Sequence, residues 1–498
     1  MHLSRTFNAS PHCLPSPNGQ YVATLLDTEI TIRKVKTLRI LKTISLPRGV
    51  ATPVTALQWS PSSRLVLVTA GKDVHVFSAS KENDYSASIR NVVPPAVKPS
   101  FVVFGALDTD VCVCASLGLR FAIFDLVSSK ITEVASPKFH TSASAQRGFC
   151  FRPESRHLAV MTRSSGKDVI SVHHPDTKEL QRSWHADTVD AQGIVWSPDG
   201  KWLVTWESAA HGHKVLFYTP DGNLFKTWSG PRILEPSDAD IELGPGVRLL
   251  AFSADGHRLA VGDSSMRICI LDMTSVTESL RLQHPTSIVP TDTLQVWQEN
   301  SATVGQKFAR AVQTVYPPFV PQIITSPPPS GCSLLSFDRS STLLATRLEN
   351  VPNTIWVWDA IAAELRGVLL FRGMVSRVLW HPVIRETLLV VCDGDACTSV
   401  AFVWDPLSEG PISVDLSGRL SSGKVHVAWL ALDQAELGAL FASDCKDYVL
   451  ASLADPGSED AVPWCAGSEA SEALDSVPGS DAGEEASQLD DTFCFKKI

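Results

Sequence analysis

One stretch of the chain comes close to a phosphate-binding loop. Residues 418–424 read Gly-Arg-Leu-Ser-Ser-Gly-Lys, with the two glycines and the lysine at the spacing of that motif. The motif continues with a serine or threonine that binds the metal ion, but Val425 stands there instead. The residues that follow alternate like a strand, whereas a phosphate cradle opens a helix. We therefore interpret 418–424 as a hairpin connection between strand-rich units and predict no nucleotide site.

Four histidines could bind a metal ion by residue type. His173 and His174 are adjacent, and His211 and His213 flank a glycine. Neither pair has a second group of ligands nearby, and no cysteines at zinc-binding spacing lie close to either pair in the sequence. Pro175 and the glycine of the second pair favour turns. We therefore predict loop histidines, with no metal ion and no cofactor.

Motifs for nucleophilic or acid–base catalysis are missing from the sequence. It contains no G-x-S-x-G elbow and no cysteine or serine in a local acid–base context. Asp238 and Asp240 form a pair of carboxylates, but they lie in a polar loop where solvated side chains are the simpler interpretation. We predict that the protein is not an enzyme.

Charge and composition narrow the function classes further. Residues 455–498 hold 11 of the 53 acidic residues and two lysines, so nearly all of the net charge of −10 lies there. The rest of the chain is close to neutral and lacks the basic footprint of nucleic-acid binding. The first residues lack the apolar region of a signal peptide, and no run of about 18 uncharged apolar residues is present. We expect an intracellular protein without membrane or direct nucleic-acid contacts.

The 11 cysteines indicate reduced thiols rather than a disulfide framework. The sequence contains no C-x-x-C pair. Cys112 and Cys114 alternate within an apolar run, as small buried side chains on a strand do. This usage is typical of cytosolic proteins.

A recurring turn predicts the elements that carry these residues. The sequence Ser-Pro-Asp-Gly at 197–200 separates two apolar runs, with proline at its second position and glycine at its exit. Pro17 and Pro61 of related turns are 44 residues apart, and Pro153 and Pro198 are 45 apart. Further related turns lie at 253–256 and 338–341. Each repeat predicts a strand, a tight turn, a second strand and then a third.

Nine strand-rich units follow this spacing, apart from one long gap. A period of about 40–45 residues is typical of β-propellers, in which a four-stranded blade buries its faces against neighbouring blades. We therefore predict an all-β, WD40-type β-propeller of seven to nine blades, either as one set or split into two propeller parts. The unit from Phe101 to Asp125 has lost its turn, so we expect a degenerate blade there.

Four segments are expected along the chain. Residues 1–280 carry an N-terminal set of blades and residues 334–454 a C-terminal set. Between them, 281–333 is a proline-rich insertion or inter-blade linker, because this density of proline favours an extended, solvated path. Serine, glycine and acidic residues dominate 455–498, which we interpret as a disordered acidic tail.

Most tryptophans follow the repeat and are expected to be structural. In the Trp-Asp pairs at 358–359 and 404–405, we expect the tryptophan to pack between blades and the aspartate to accept local hydrogen bonds. Four others stand at one strand position and predict core packing: Trp59, Trp196, Trp380 and Trp429.

Five aromatic residues are candidates for partner binding. Trp184, Trp206 and Trp228 fall outside the register of the repeat, and an exposed aromatic side chain can anchor a partner. Phe493 and Phe495 enclose a cysteine at the end of the acidic segment. This cluster predicts either a short docking peptide or a strand that adds to a sheet edge.

Several segments resemble the WD-repeat protein 8 family, which are WD40 proteins of centrosomes and fungal spindle pole bodies. The likeness is most specific over 192–228, through Gly-Ile-Val-Trp-Ser-Pro-Asp-Gly-Lys-Trp-Leu at 193–203. It continues over 252–285 and is found again at 13–41. It fades in 101–125, in the proline-rich insertion and in the acidic segment.

The resemblance implies a non-catalytic scaffold at the spindle pole or microtubule-organising centre. Members of that family form a complex with a coiled-coil anchoring protein and help to tether microtubule minus ends. In fungi, a minus-end-directed kinesin joins them. The resemblance therefore implies these partners, and a cytoplasmic, cytoskeletal location, for this chain. It supplies no catalytic residues, because the matching residues belong to turns and core.

Two other function classes stay open at this point. A translation-associated propeller of the initiation factor 2A type also has degenerate blades and a charged tail, but it would need a basic face for RNA or the ribosome. The near-neutral body argues against that reading. An enzyme would require a polar cluster at the central channel of the propeller.

Overall fold

The computed structural model describes residues 1–47, 53–94, 97–118, 120–139, 148–230, 246–300, 308–318, 331–384, 386–393, 400–420, 423–432, 438–454, 463–464 and 493–495. These residues form forty β-strands and two 3-10 helices, Ser116–Gly118 and Ala209–His211. The strands pair into nine sheets, which we call blades 1 to 9. The prediction of an all-β, WD40-type propeller is confirmed, at the upper end of the expected number of blades.

Residues 1–134 and 419–498 form one compact unit, with four blades. Blade 1 consists of β3–β6, blade 2 of β7–β10 and blade 3 of β11–β14; blade 9 consists of β37–β39 with β1 and β2. The strands are β1 (His2–Leu3), β2 (Phe7–Asn8), β3 (Cys13–Pro15), β4 (Tyr21–Leu26), β5 (Glu29–Lys34), β6 (Ile40–Ser45), β7 (Val54–Trp59), β8 (Leu65–Ala70), β9 (Asp73–Ser78), β10 (Ser86–Ile89), β11 (Pro99–Phe104), β12 (Asp110–Ala115), β13 (Arg120–Asp125), β14 (Ile131–Ala135) and, after the second unit, β37 (His426–Trp429), β38 (Ala439–Ser443), β39 (Asp447–Ser452) and β40 (Phe493–Phe495).

Residues 135–418 form the second compact unit, with blades 4 to 8. Blades 4, 5 and 6 are β15–β18, β19–β22 and β23–β26, blade 7 is β27–β32, and blade 8 is β33–β36. The strands are β15 (Phe149–Phe151), β16 (Leu158–Ser164), β17 (Lys167–His173), β18 (Leu180–His185), β19 (Ala191–Trp196), β20 (Leu203–Glu207), β21 (Val215–Tyr218), β22 (Leu224–Trp228), β23 (Val247–Phe252), β24 (Arg258–Asp263), β25 (Arg267–Asp272), β26 (Thr277–Gln283), β27 (Gln295–Glu299), β28 (Phe308–Arg310), β29 (Cys332–Phe337), β30 (Leu343–Leu348), β31 (Thr354–Asp359), β32 (Glu364–Leu370), β33 (Met374–Trp380), β34 (Leu388–Asp393), β35 (Val400–Trp404) and β36 (Ile412–Asp415).

The apolar cores lie between successive blades of a unit. One cluster joins the second and third strands of blade 1 to those of blade 2, and another joins blade 7 to blade 8. The middle strands are therefore covered on both faces, and strands such as β12 and β20 are buried along their whole length. In blades such as blade 4 the fourth strand forms the outer edge, and most residues of β18 are exposed. Cys112 and Cys114 are both buried on β12, as their alternation predicts.

The repeated turn connects the first and second strands and also links blades. In Ser197–Gly200, the Gly200 N–H donates to the Ser197 carbonyl over 2.9 Å, and Gly200 has a φ of 67°. This left-handed conformation explains the glycine at the end of the turn. The Arg152 side chain of blade 4 donates to the Gly200 carbonyl over 2.8 Å. The turn that marks the repeat in the sequence is thus also an inter-blade contact.

Two segments differ from the sequence-based expectations. The unit over 101–125 is a complete four-stranded blade, because β11 and β14 flank its two buried strands. The expected solvated path over 281–333 is wrong for its described part. There β27 pairs in parallel with β32, and β28 pairs with β27, so both strands extend blade 7. Trp297 and Phe308 are buried there, since they cover apolar residues at the edge of that blade.

Blade 9 takes its outer strands from the beginning of the chain. β1 pairs with β39 through His2 and Leu3, and β2 pairs with the same strand. Between them, the Ser4 N–H donates to the Leu450 carbonyl over 2.8 Å, and the Ser4 hydroxyl accepts from the Leu450 N–H over 2.9 Å. Strands from the two ends of the first unit are therefore joined in one sheet.

Candidate functional site

The three tryptophans expected as partner anchors are not exposed. Trp206 is 5% and Trp228 is 8% exposed, and both belong to the core between blades 5 and 6. Trp184 is half-buried on β18, with its ring centroid 5.7 Å from that of Tyr218. We therefore correct the expected exposure, because these indoles fill space within and between blades. Their binding to a partner stays a prediction.

The tryptophans at the repeated strand position pack in the core or at its margin, as predicted. Each ends the first strand of its blade. The indole N–H of Trp59 donates to the Leu14 carbonyl of blade 1 over 3.2 Å, and that of Trp380 donates to the Ser336 carbonyl of blade 7 over 2.8 Å. In blades 2 and 8 this position therefore carries a hydrogen bond to the preceding blade.

Trp380 and Trp196 allow this hydrogen bond to be measured. We expect Trp380→Phe to lower the free energy of unfolding by about 1 kcal/mol more than Trp196→Phe does, because the Trp196 indole N–H has no hydrogen-bond partner in the described structure. Both changes remove the same atoms. Urea denaturation of the two variants measures the difference, and equal losses would contradict the assignment.

The Trp-Asp pair of blade 7 behaves as predicted. The Asp359 carboxylate accepts from the Ile361 and Ala362 N–H groups, at 2.9 and 2.8 Å. The Trp358 indole N–H donates to the Thr346 hydroxyl over 2.9 Å, and that hydroxyl lies 2.9 Å from His284 Nε2.

His284 links blade 6 to blade 7 through this chain of hydrogen bonds. Its Nδ1 lies 2.8 Å from the Met266 carbonyl, which can only accept, so Nδ1 carries the proton and Nε2 accepts from Thr346. The ring also contacts Trp356 and Trp358 edge-on, at centroid distances of 4.9 and 5.4 Å. Burial lowers the pKa of His284 to about 4. The residue is a neutral structural group.

The phosphate-loop-like segment and the histidine pair at 173–174 have structural roles in the part of the chain that the structure describes. Residues 418–420 and 423–424 connect β36 to β37. His173 is not in a loop as expected: it ends β17, is buried, and contacts the Lys178 carbonyl and the Ser171 hydroxyl at 3.1 Å each. Asp238 and Asp240 lie outside the described residues. Within the described ranges, no group of three or more His, Cys, Asp or Glu side chains could hold a metal ion.

A buried charge cluster, which the sequence reasoning missed, lies between blades 4 and 5. Asp168 is fully buried on β17 and pairs with Lys138 at 2.8 Å and with Arg163 at 3.3 Å. Lys138 also pairs with Asp190 at 2.8 Å. An aspartate directly before the apolar residues of β17 was the available signal, since a charge in a buried strand needs partners. On β20, Glu207 is buried in the same way.

These two carboxylates fix the loop 186–190 between the blades. Asp168 accepts from the Thr188 hydroxyl over 3.0 Å and from the Ala191 N–H over 2.7 Å. Glu207 accepts from the N–H groups of Val189 and Asp190, both over 2.7 Å. The loop is thus held by buried acceptors along its length.

The fixed loop presents an apolar side chain to the outside. Val189 is 57% exposed, and acidic residues flank it. The Asp187 N–H donates to the Tyr218 hydroxyl over 2.9 Å, and Lys214 bonds the Asp187 carbonyl over 2.7 Å. A pre-ordered loop binds a partner at a smaller entropy cost than a loose one.

The two C-terminal phenylalanines belong to a strand on blade 2. β40 pairs antiparallel with β10, the outer strand of that blade, through three residue pairs: Ala87 with Phe495, Ser88 with Cys494 and Ile89 with Phe493. Strand addition to a sheet edge, one of the two expectations for this cluster, therefore occurs within the chain. Elsewhere in 455–498 the structure describes Pro463 and Trp464, and Trp464 is buried against blades 9 and 1.

Comparisons with known proteins agree with this architecture. The chain is 25% identical over 458 residues to the mouse (Mus musculus) WD repeat-containing protein WRAP73, covering 86% of this chain and 92% of that protein. It is 24% identical over 401 residues to the uncharacterized WD repeat-containing protein C32H8.09 of Schizosaccharomyces pombe (strain 972 / ATCC 24843), covering 78% and 77% of the two chains. No family model matches the chain.

A solved structure shows the same fold. The crystal structure of the eukaryotic initiation factor matches with a TM-score of 0.51 at 11% identity, over 83% of this chain and 90% of that one. At that identity the likeness concerns the fold alone. Within the described residues, no helix has the length and apolarity needed to cross a membrane. The chain therefore has a WD40-type β-propeller fold and is similar over most of its length to WD repeat-containing proteins.

Proposed function

We propose that the protein is a non-catalytic scaffold at the spindle pole or microtubule-organising centre. It binds a coiled-coil anchoring protein, and in fungi a minus-end-directed kinesin, to tether microtubule minus ends and support spindle assembly. The observation that supports this most is the resemblance of residues 192–228 to the WD-repeat protein 8 family. The alignment with a WD repeat-containing protein over 86% of the chain supports a scaffold role in general.

The fixed loop 186–190 gives this scaffold a contact for a helical partner. A coiled-coil helix offers an apolar stripe flanked by charged side chains. Val189 offers an exposed apolar group to such a stripe, while the neighbouring carboxylates of Asp187 and Asp190 are paired within the chain with Lys214 and Lys138. Because buried hydrogen bonds hold the loop, binding needs little ordering on this side.

Tagged purification from dividing cells tests the proposal. We expect a coiled-coil protein among the bound proteins and a spot-like signal at the spindle poles. Val189→Asp should reduce recovery of that protein without changing the unfolding midpoint. The matched control is Leu407→Asp, at another exposed apolar side chain in a turn. A diffuse signal throughout mitosis with no such partner would overturn the proposal. Ribosome co-sedimentation at moderate salt would favour the initiation-factor alternative.

A further inference from the structure

The outer edge of blade 2 accepts an added strand. In the sheet order β40-β10-β9-β8-β7, β10 would be the outermost strand without β40. An open edge offers unpaired N–H and C=O groups to any extended peptide, and β-strand addition is a common mode of peptide recognition.

The alternation of hydrogen bonds identifies the groups that face the added strand. The Ser78 N–H donates to the Tyr85 carbonyl over 2.9 Å, so the Tyr85 backbone points toward β9. Backbone groups alternate along an antiparallel strand, so those of Ala87 and Ile89 also point toward β9 and those of Ser88 point outward. Ser88 lies opposite Cys494. The Ser88–Cys494 pair therefore exchanges the hydrogen bonds that join β40 to the blade.

The face of the edge favours a particular side-chain pattern. Ala87 and Ile89 belong to the core between blades 2 and 3, with Tyr85 and Ile131 at its half-buried margin. Positions opposite Ala87 and Ile89 share that face of the sheet. A peptide with large apolar residues at two alternating positions and a small residue between them therefore fits this edge.

The charged residues at the two ends of β10 favour an antiparallel peptide with an acidic N-terminal flank and a basic C-terminal flank. Exposed Arg90 follows the strand, and exposed Glu82 and Asp84 precede it, of which Asp84 already pairs with Lys42 at 3.1 Å. An antiparallel peptide would place its N-terminal flank near Arg90 and its C-terminal flank near the two acidic residues. The sequence around β40 has that polarity, with Asp490 and Asp491 before the aromatic pair and two lysines after it.

The contact of β40 with this edge is short and tethered. It consists of three residue pairs, and 28 residues, 465–492, separate it from buried Trp464. A covalent tether raises the local concentration of a weak ligand to about the millimolar range. A partner strand that binds more tightly can therefore replace it.

We infer that the edge of β10 is a docking site for an extended partner peptide of the pattern acidic, aromatic, small, aromatic, basic, and that the chain's own residues 493–495 occupy it as an internal competitor. This inference does not depend on the proposed location at the spindle pole. The docking surface consists of backbone groups of β10. A partner peptide must compete with residues 493–495 to bind there.

The experiment measures binding of a fluorescent peptide of sequence 488–498 to the full chain. Cys494→Pro in the protein removes the N–H that faces Ser88 and should free the edge. We expect this variant to bind the peptide at least tenfold more tightly than the unchanged chain. Cys494→Ala, which keeps the N–H, should bind as weakly as the unchanged chain. A peptide with its acidic and basic flanks exchanged should bind the freed edge less well.

A second pair of variants shows that the peptide binds at β10. Added to Cys494→Pro, Ser88→Pro should abolish binding, whereas Ser88→Ala should not, although both remove the 2.8 Å contact of Ser88 with His75. If Ser88→Pro does not fold, a peptide with proline in place of Cys494 tests the same pair of residues. This peptide lacks the N–H that faces Ser88 and should not bind to Cys494→Pro. Equal binding by all chains, or no binding to Cys494→Pro, would overturn the inference. A dimeric full chain that Cys494→Pro makes monomeric would also overturn it, because the strand would then lie on a second copy.

Discussion

Asp168→Ala is expected to lower the free energy of unfolding by about 3–5 kcal/mol, the range for removing one partner of a buried ion pair. The change takes away the carboxylate that Lys138 and Arg163 contact, and the mostly buried Lys138 side chain keeps only its pair with Asp190. It also removes the acceptor of the Thr188 hydroxyl and the Ala191 N–H, so the loop 186–190 loses one of its two anchors. Urea denaturation followed by fluorescence measures the loss.

Asp187→Ala is the matched control for this change. Asp187 lies in the same loop, but its carboxylate pairs with Lys214 at 3.2 Å and is 69% exposed. An exposed pair contributes about 0–1 kcal/mol, and its contribution falls with salt. Similar losses for Asp168→Ala and Asp187→Ala would contradict the assignment of Asp168 as the buried anchor.

His284 is expected to make the protein less stable in mild acid by roughly 3 kcal/mol. Burial lowers its pKa from 6.5 to about 4 in the folded chain. Between these values the unfolded chain binds a proton and the folded chain does not, so stability rises with pH. The contribution is therefore complete above pH 6.5 and is lost as the pH falls toward 4, at about 1.4 kcal/mol per pH unit.

The slope of stability against pH isolates this residue. Burial also lowers the pKa values of His213 and His381 to about 4, so the protein has a steeper slope than one histidine gives. His284→Asn should reduce the slope between pH 6.5 and 4 by about 1.4 kcal/mol per unit. Equal slopes for His284→Asn and the unchanged chain would contradict the assignment of His284 as a buried neutral group.

The parts of the fold that depend on short-range information follow from the sequence. The turn at 197–200 and its relatives predict paired strands because proline and glycine fix the local backbone. The tryptophans at the repeated strand position predict core packing for the same reason, since each repeat places them alike.

Pairing over long separations could not be predicted in this way. β27 pairs with β32, which lies about 70 residues later in the chain. The apolar residues of β27 are buried because they pack at the edge that β32 offers, and the local sequence does not encode this pairing. The unit over 101–125 lacks the turn motif, yet its strands still pair because β12 and β13 are apolar enough to be covered on both faces.

The candidate sites depend on side-chain partners that the repeat does not encode. Trp206 and Trp228 fall out of register but face the next blade, so irregular position did not imply exposure. The loop 186–190 draws its fixed shape from Asp168 and Glu207, which stand on two different strands. Among these candidates, the Phe-Cys-Phe pattern at 493–495 alone predicted a structure that is found, because strand addition to a sheet edge was one of its two expected roles.

The joining of β1 to β39 also constrains when the first unit can be completed during synthesis. Ser4 and Leu450, which bond each other, are separated by 446 residues. At about 5–20 residues per second, the ribosome needs roughly 20–90 s to make the partner of the first strand. The residues of the second unit, 135–418, are contiguous and emerge within that interval. On the ribosome, the second unit can therefore finish folding first. During that time β1 has no strand partner and is accessible to chaperones.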